Sequence, residues 1–409
     1  MFQFRLARAG MLIAALGFTI ALGQTAHAAV SGEVGKHLAA AQELAKKGKF
    51  KEAMAQVNEA DHAGGKNAGD AFTIEQMRGY IARSMGDNTT ALHSYETQLA
   101  SGKVPAAQQS DMVKAIAGMY FSLKDYPKAS VWINRYLKEG GTDPQMRALL
   151  QQVQFQSGNC GQIVKDIQAE LKAADRSGRA LPETQLQFLA NCANKQNDKV
   201  TYVVAIEKLV ASYPKKDYWA DLLNRVQNKP GFSSRLQLDV LRLKLSIGQL
   251  TAGKDFMEMG QLALQSGAPA EAMRIIDAGY KNGALGTGAE AERHKRLRDL
   301  ATKTLAEDEK RLPTAEAEAI KAKDMDSLFT VGFALAQAGK GDKGFSLMQQ
   351  ALSGNLKHPD ESKLHLALAY HQAGKKADAL KTLKTVEGSD GAADLARYWI
   401  SQINHPFSG

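Results

Sequence analysis

Cys160 and Cys192 are the only cysteines in the chain, and they stand far outside the CxxC spacing that depresses a thiol pKa and builds a redox centre. The pair reads either as a disulfide or as two buried thiols. Cys160 opens one predicted helix and Cys192 lies near the end of the next, and in an antiparallel hairpin those ends are neighbours. The nine histidines include no pair four residues apart, the spacing that would set two imidazoles on one helical face for zinc. His365 and His371 are six apart and diverge. No serine, histidine and acid combination stands in a nucleophile turn. The loop Gly283 to Gly288, GALGTG, has the glycines of a phosphate cradle but follows a predicted helix instead of a strand, so it reads as a turn between hairpins. The basic run Arg293 to Arg298 offers an anionic contact or a solvated helical face; the Glu292 to Arg296 spacing favours the latter. These residues call for no cofactor and no metal, and they point to a protein that is not an enzyme.

Such residues must be carried on helices. The apolar positions recur at helical spacing and alternating strand-like runs are hard to find, so the chain reads as all-α. Prolines fall where apolar stripes begin or stop, as at Pro105, Pro144, Pro182, Pro214, Pro313 and Pro359. A tight turn followed by a small residue early in a new helix occurs at Gly48 and Ala53. It returns 38 residues on at Gly86 and Ala91, and after the same interval at Lys124 and Ala129. That recurrence is a helical repeat array, in which paired helices touch where a side chain is absent.

The first hairpin is expected from Glu33 to His62. The second joins helices Phe72 to Met85 and Thr89 to Leu99. In the third, Ala117, Tyr120, Tyr126, Ala129 and Ile133 take the equivalent places. With Gly48, Phe50, Ala53 and Ala60 in the first repeat and Gly79, Gly86, Ala91 and Tyr95 in the second, the chain resembles the tetratricopeptide repeat (TPR) family, in its exported bacterial form with degenerate repeats. The pattern fades between Gln145 and Pro214. It revives at Gly260, Gly267 and Ala272, at Gly332, Gly339, Gly344 and Ala351, and in a last copy at Leu366, Tyr370, Gly374 and Ala379. A further degenerate copy, broken at Pro313, is expected between Glu290 and Asp324, with softer points there and at Pro230. Ala392 to His405 reads as a solvating C-terminal helix.

The resemblance implies an α-α superhelix, a TPR-like solenoid of antiparallel helical hairpins, whose first helices line a concave groove. Transferring the family's groove register selects Gln76, Tyr80, Arg83, Lys114 and Phe121 in the early repeats. In the last two it selects Phe329, Phe333, Leu368 and His371. The family's clamp for a terminal carboxylate is absent: Leu38, Gln42, Gln76, Tyr80, Lys114 and Gly118 occupy its positions, so that ligand class does not carry over.

Arg5 and Arg8 precede the apolar run Met11 to Leu22, and Ala26-His27-Ala28 follows; this is the pattern of a signal peptide cleaved after Ala28. The product is expected in an oxidising compartment, most simply a bacterial periplasm, without stable membrane insertion. The formal net charge is +9, and cleavage takes two arginines and no acid off that excess. Export disfavours nucleic acid as a partner and leaves an envelope protein, or an anionic envelope polymer such as peptidoglycan, as the expected ligand. The organisation read from spacing is 1–28 signal peptide, 29–215 N-terminal array, 216–310 central hairpins and 311–409 C-terminal repeats with a cap. Hairpin signals run almost to Gly409, which leaves no room for the catalytic domain of a cell-wall lyase.

Overall fold

The computed structural model describes residues 30–407; the signal-peptide reading falls outside the described residues. Among these, helices and turns account for all regular structure and no strand occurs. The chain divides between Asp198 and Lys199 into two compact units; sequence spacing put the boundary between the N-terminal array and the central hairpins at 215.

The N-terminal unit contains α1 (Gly32–Lys46), α2 (Phe50–His62), α3 (Ala68–Met85), α4 (Asn88–Ala100), α5 (Ala106–Ser122), α6 (Tyr126–Lys138), α7 (Pro144–Gln156), α8 (Cys160–Ser177) and α9 (Glu183–Lys195). The pairs α1/α2, α3/α4 and α5/α6 are the three repeats, and α8 pairs chiefly with α9. Each repeat turn is closed by one residue in the left-handed region: Gly48 (φ 71°), Gly86 (φ 78°) and Lys124 (φ 61°). The residue after it returns its N–H to the end of the first helix, as Lys49 to Leu44 O (2.9 Å), Asp87 to Ala82 O (2.9 Å) and Asp125 to Tyr120 O (3.0 Å). The carboxylates of Asp87 and Asp125 then cap the second helix by accepting the N–H of Thr90 and Lys128, each at 3.1 Å. Ala53, Ala91 and Ala129 are inaccessible to solvent. At Gly79 a Cβ would stand 2.7 Å from the Tyr95 ring, which is why a side chain is missing there.

The C-terminal unit contains α10 (Lys199–Ser212), α11 (Lys216–Gln227), a 3-10 turn (Ser234–Leu236) leading into α12 (Gln237–Ser246), α13 (Gly253–Gln265), α14 (Pro269–Lys281), α15 (Ala291–Ala322), α16 (Met325–Gln337), α17 (Gly341–Leu352), α18 (Pro359–Gln372), α19 (Lys376–Leu383) and α20 (Ala392–Asn404). Its tightest hairpin is α16/α17, where a Cβ on Gly332 or on Gly344 would lie 2.8 or 2.6 Å from the other's carbonyl oxygen.

Three expectations are corrected here. The stretch 291–322 is one helix of 32 residues with Pro313 inside it, not a hairpin broken at proline. Pro313 removes one hydrogen bond, but strong helix formers flank it, and Leu312 and Ala319 stay buried on either side. The Pro230 turn is tied rather than soft: Lys229 pairs with Asp394 (2.7 Å) and Ser233 N donates to Asp390 O (2.8 Å). The C-terminal helix is not a solvated cap either. Leu395, Ala396, Tyr398, Trp399 and Ile403 of α20 are buried, because α20 packs on α10 and α12 as well as on α18 and α19.

Candidate interaction faces

In the N-terminal unit, Gln76, Tyr80 and Arg83 share one side of α3 and are half-buried. Tyr80 leans on the core of the first hairpin, built from residues such as Val34, Leu38, Ala53 and Val57. Arg83 enters no ion pair among the described residues. On α5, Lys114 is held by Asp111 (2.9 Å) and Asp143 (3.6 Å) and lies 6.0 Å from the Tyr136 ring centroid. The hydrogen bond that Lys114 donates to Asp111 keeps its ammonium above the ordinary lysine pKa. Phe121 is half-buried, 5.9 Å from the Tyr126 ring. The structure therefore leaves all five residues selected in this unit partly open to solvent, with Lys114 ion-paired and Arg83 a cation without an ion pair among the described residues.

Cys160 and Cys192 form a disulfide, with their Cα atoms 4.9 Å apart, inside the range a bridge allows. It joins the first residue of α8 to the last turn of α9, and both side chains are buried.

The C-terminal unit reverses the expected exposure. Phe329, Phe333 and Leu368 are only 7, 8 and 3% exposed, so they are core and not groove. Phe333 shows the cause: its ring lies 5.5 Å from both the Arg242 guanidinium and the His365 ring, so α12 and α18 cover the face of α16 that the repeat register left open. His371 stacks on Trp399 at 5.8 Å, and burial, reinforced by Lys376, lowers its pKa.

Beneath Phe333 lies a charged cluster that no motif announced. Arg242 forks onto Glu271 through Nε (2.7 Å) and Nη2 (2.6 Å) and reaches Asp239 through Nη1 (2.7 Å). His365 Nε2 sits 3.0 and 3.1 Å from the two Asp239 oxygens. Burial pushes the Asp239 carboxyl up, but His365 and Arg242 outweigh it and hold the group at about 2. Burial disfavours the Arg242 charge too, and Glu271 and Asp239 more than compensate, so its pKa is raised. A signal was present in the sequence: Asp239 and Arg242 are opposite charges three apart in the leucine-rich run LQLDVLRLKLSI.

A second polar seam follows α20. Arg397 donates to Glu207 of α10 at 3.0 Å and also grips Asp394. Burial raises the pKa of Glu207 against the pull of Arg397. Close by, Tyr202 donates its hydroxyl to Asp221 (2.9 Å) under the Arg225 guanidinium, 3.7 Å above the ring; burial and Asp221 push Tyr202 up to about 12.

The GALGTG loop is a turn between α14 and α15. Leu285 is buried, and Gly286 donates its N–H to His294 Nδ1 at 3.1 Å. In the basic run, Arg298 pairs with Asp277 (2.7 Å) and Arg293 with Glu290 (3.2 Å). Among the described residues no group of three His, Cys, Asp or Glu is disposed to hold a metal ion, and no helix is long and apolar enough to cross a membrane.

No protein-family model matches the sequence, and no curated protein matches it. Solved structures do. A structure of Naa15/Naa10 bound to HypK-THB is similar at 14% identity, over 89% of this chain and 58% of that one, with a TM-score of 0.34. Yeast Tom70 is similar at 10% identity over 91% of this chain and 95% of its own, TM-score 0.25. The P58(IPK) TPR domain is similar at 13% identity over 90 and 98%, TM-score 0.24. The chain spans less than two thirds of the Naa15/Naa10 chain it matches. The class itself is defined by the geometry above: an all-α, TPR-like array of helical hairpins, with left-handed turns and alanine contacts at the repeat spacing.

Proposed function

We propose that the chain is a non-enzymatic scaffold that captures another protein on the face of its N-terminal unit lined by α3 and α5. The observation that carries this reading is the contrast in exposure. Tyr80, Arg83 and Phe121 stay half-open where Phe329, Phe333 and Leu368 are buried, and aromatic and arginine side chains are the types that dominate interface energetics. The disulfide and the leader pattern at Arg5 to Ala28 support an exported protein in an oxidising compartment, a bacterial periplasm, with an envelope protein as partner.

Arg83 gives the cleanest test because it carries no ion pair and little of the core. Arg83→Glu should leave the stability within about 0.5 kcal/mol of the unaltered chain's and reduce crosslinked capture of the envelope partner at least tenfold. A folded Arg83→Glu protein that captures undiminished removes this face from the reading. Purified peptidoglycan serves as the competing bait: retention on it that Arg83→Glu does not change would favour direct polymer binding. N-terminal sequencing should begin at Ala29, and an intact Met1 in the periplasmic fraction would rule out the cleavage.

A further inference from the structure

Helix α20 sits in the C-terminal unit in the way a bound helix sits in a receptor. Its buried side chains, Leu395, Tyr398, Trp399 and Ile403, fall at the i, i+3, i+4 and i+8 spacing of a single apolar stripe. Polar contacts ring that stripe and reach residues far away in sequence. Arg397 meets Glu207 on α10, and Asp394 meets Lys229 at 2.7 Å. Gln402 Nε2 donates to Ser246 O at the end of α12 (3.1 Å), and His371 of α18 stacks on Trp399. Apolar anchors at the centre with opposite charges at the rim are the anatomy of a helix-in-groove complex.

We propose that the surface formed by α10, α12, α18 and α19 is a helix-binding groove filled in cis by α20, and that the partner it fits is an amphipathic helix of the same chemistry. That helix carries a Leu, Tyr, Trp and Ile stripe, an arginine opposite Glu207 and a carboxylate opposite Lys229. Four large apolar side chains are too many to leave uncovered, so the groove changes occupant by exchange and not by opening onto water. The inference is independent of the N-terminal face, and its failure leaves that reading untouched.

The probe is a fluorescent peptide of residues 388–407, added to the full chain and followed by anisotropy. Arg397→Gln in the chain weakens the resident helix, and this chain should bind the native peptide at least tenfold more tightly than the unaltered chain does. Trp399→Ala in the peptide should cost at least tenfold. Glu207→Arg in the chain should reject the native peptide and accept one carrying Arg397→Glu, a reversal that loosened packing alone does not produce. If Arg397→Gln loses its helicity, Asp394→Asn, which gives up the Lys229 contact, takes its place. Dimer formed by either folded variant without peptide also supports the groove, since a second copy's α20 is then the replacement helix. No binding to a folded variant, or binding indifferent to the charge at position 207, would overturn the proposal.

Discussion

Lys124 holds the backbone conformation that Gly48 and Gly86 hold at the same place in their repeats. A side chain in that region costs about 1 to 2 kcal/mol, partly offset by the greater freedom glycine gives the unfolded chain. Lys124→Gly should therefore stabilise the N-terminal unit by about 0.5 to 1 kcal/mol in chemical denaturation, and no gain would mean that the lysine is compensated by contacts at that turn. Asp239 makes a prediction about pH. Its folded pKa of about 2 lies below the roughly 3.9 of an unfolded aspartate. Its contribution is thus complete above pH 4 and lost as pH falls from about 4 to about 2, on the order of 2 kcal/mol in all. The stability of the unaltered chain minus that of Asp239→Asn should shrink across this window, and a difference that stays flat would exclude the linkage. The turn glycines and the alanines of α2, α4 and α6 were legible from single residues because their roles are local. The Arg242 cluster was only half legible: Asp239 and Arg242 are neighbours in sequence, but Glu271 and His365 arrive from helices 29 and 126 positions away.

At the level of helices, the contact at Ala53, Ala91 and Ala129 sets how closely each pair packs. Leucine at any of the three should overpack the hairpin and cost about 1 to 3 kcal/mol, seen as a lower denaturation midpoint at unchanged slope. A cost under a few tenths of a kcal/mol would mean that the helices can part there. Hairpin limits were readable to within a few residues, since capping, turn and apolar spacing all act over one or two turns of chain. Exposure was not. Phe329, Phe333 and Leu368 occupy the same register as Tyr80 and Phe121, and nothing in α16 or α18 declares that other helices will lie over them. Pro313 misled for the opposite reason: its local effect is to end a helix, and the packing of Leu312 and Ala319 carries α15 through it.

On the scale of the molecule, each unit has its own means of closure. In the N-terminal unit the Cys160 and Cys192 bridge closes a loop with a sequence separation of 32, worth about 3 to 4 kcal/mol on the chain-entropy account. Reductant should lower the stability of that unit by this order and leave the C-terminal unit's unfolding where it was, because no other cysteine exists. Equal sensitivity in both would contradict the assignment. The C-terminal unit closes through α20, and this ties its completion to the direction of protein synthesis. Helices α10 and α12 leave the ribosome long before Ala392, yet part of their packing surface waits for Leu395, Tyr398 and Trp399. Helices made early in the unit are thus finished by one made far later in the chain. A premature stop before α20 strips cover from the beginning of the unit, and the interval before α20 emerges is when a chaperone that shields apolar surface has most to do.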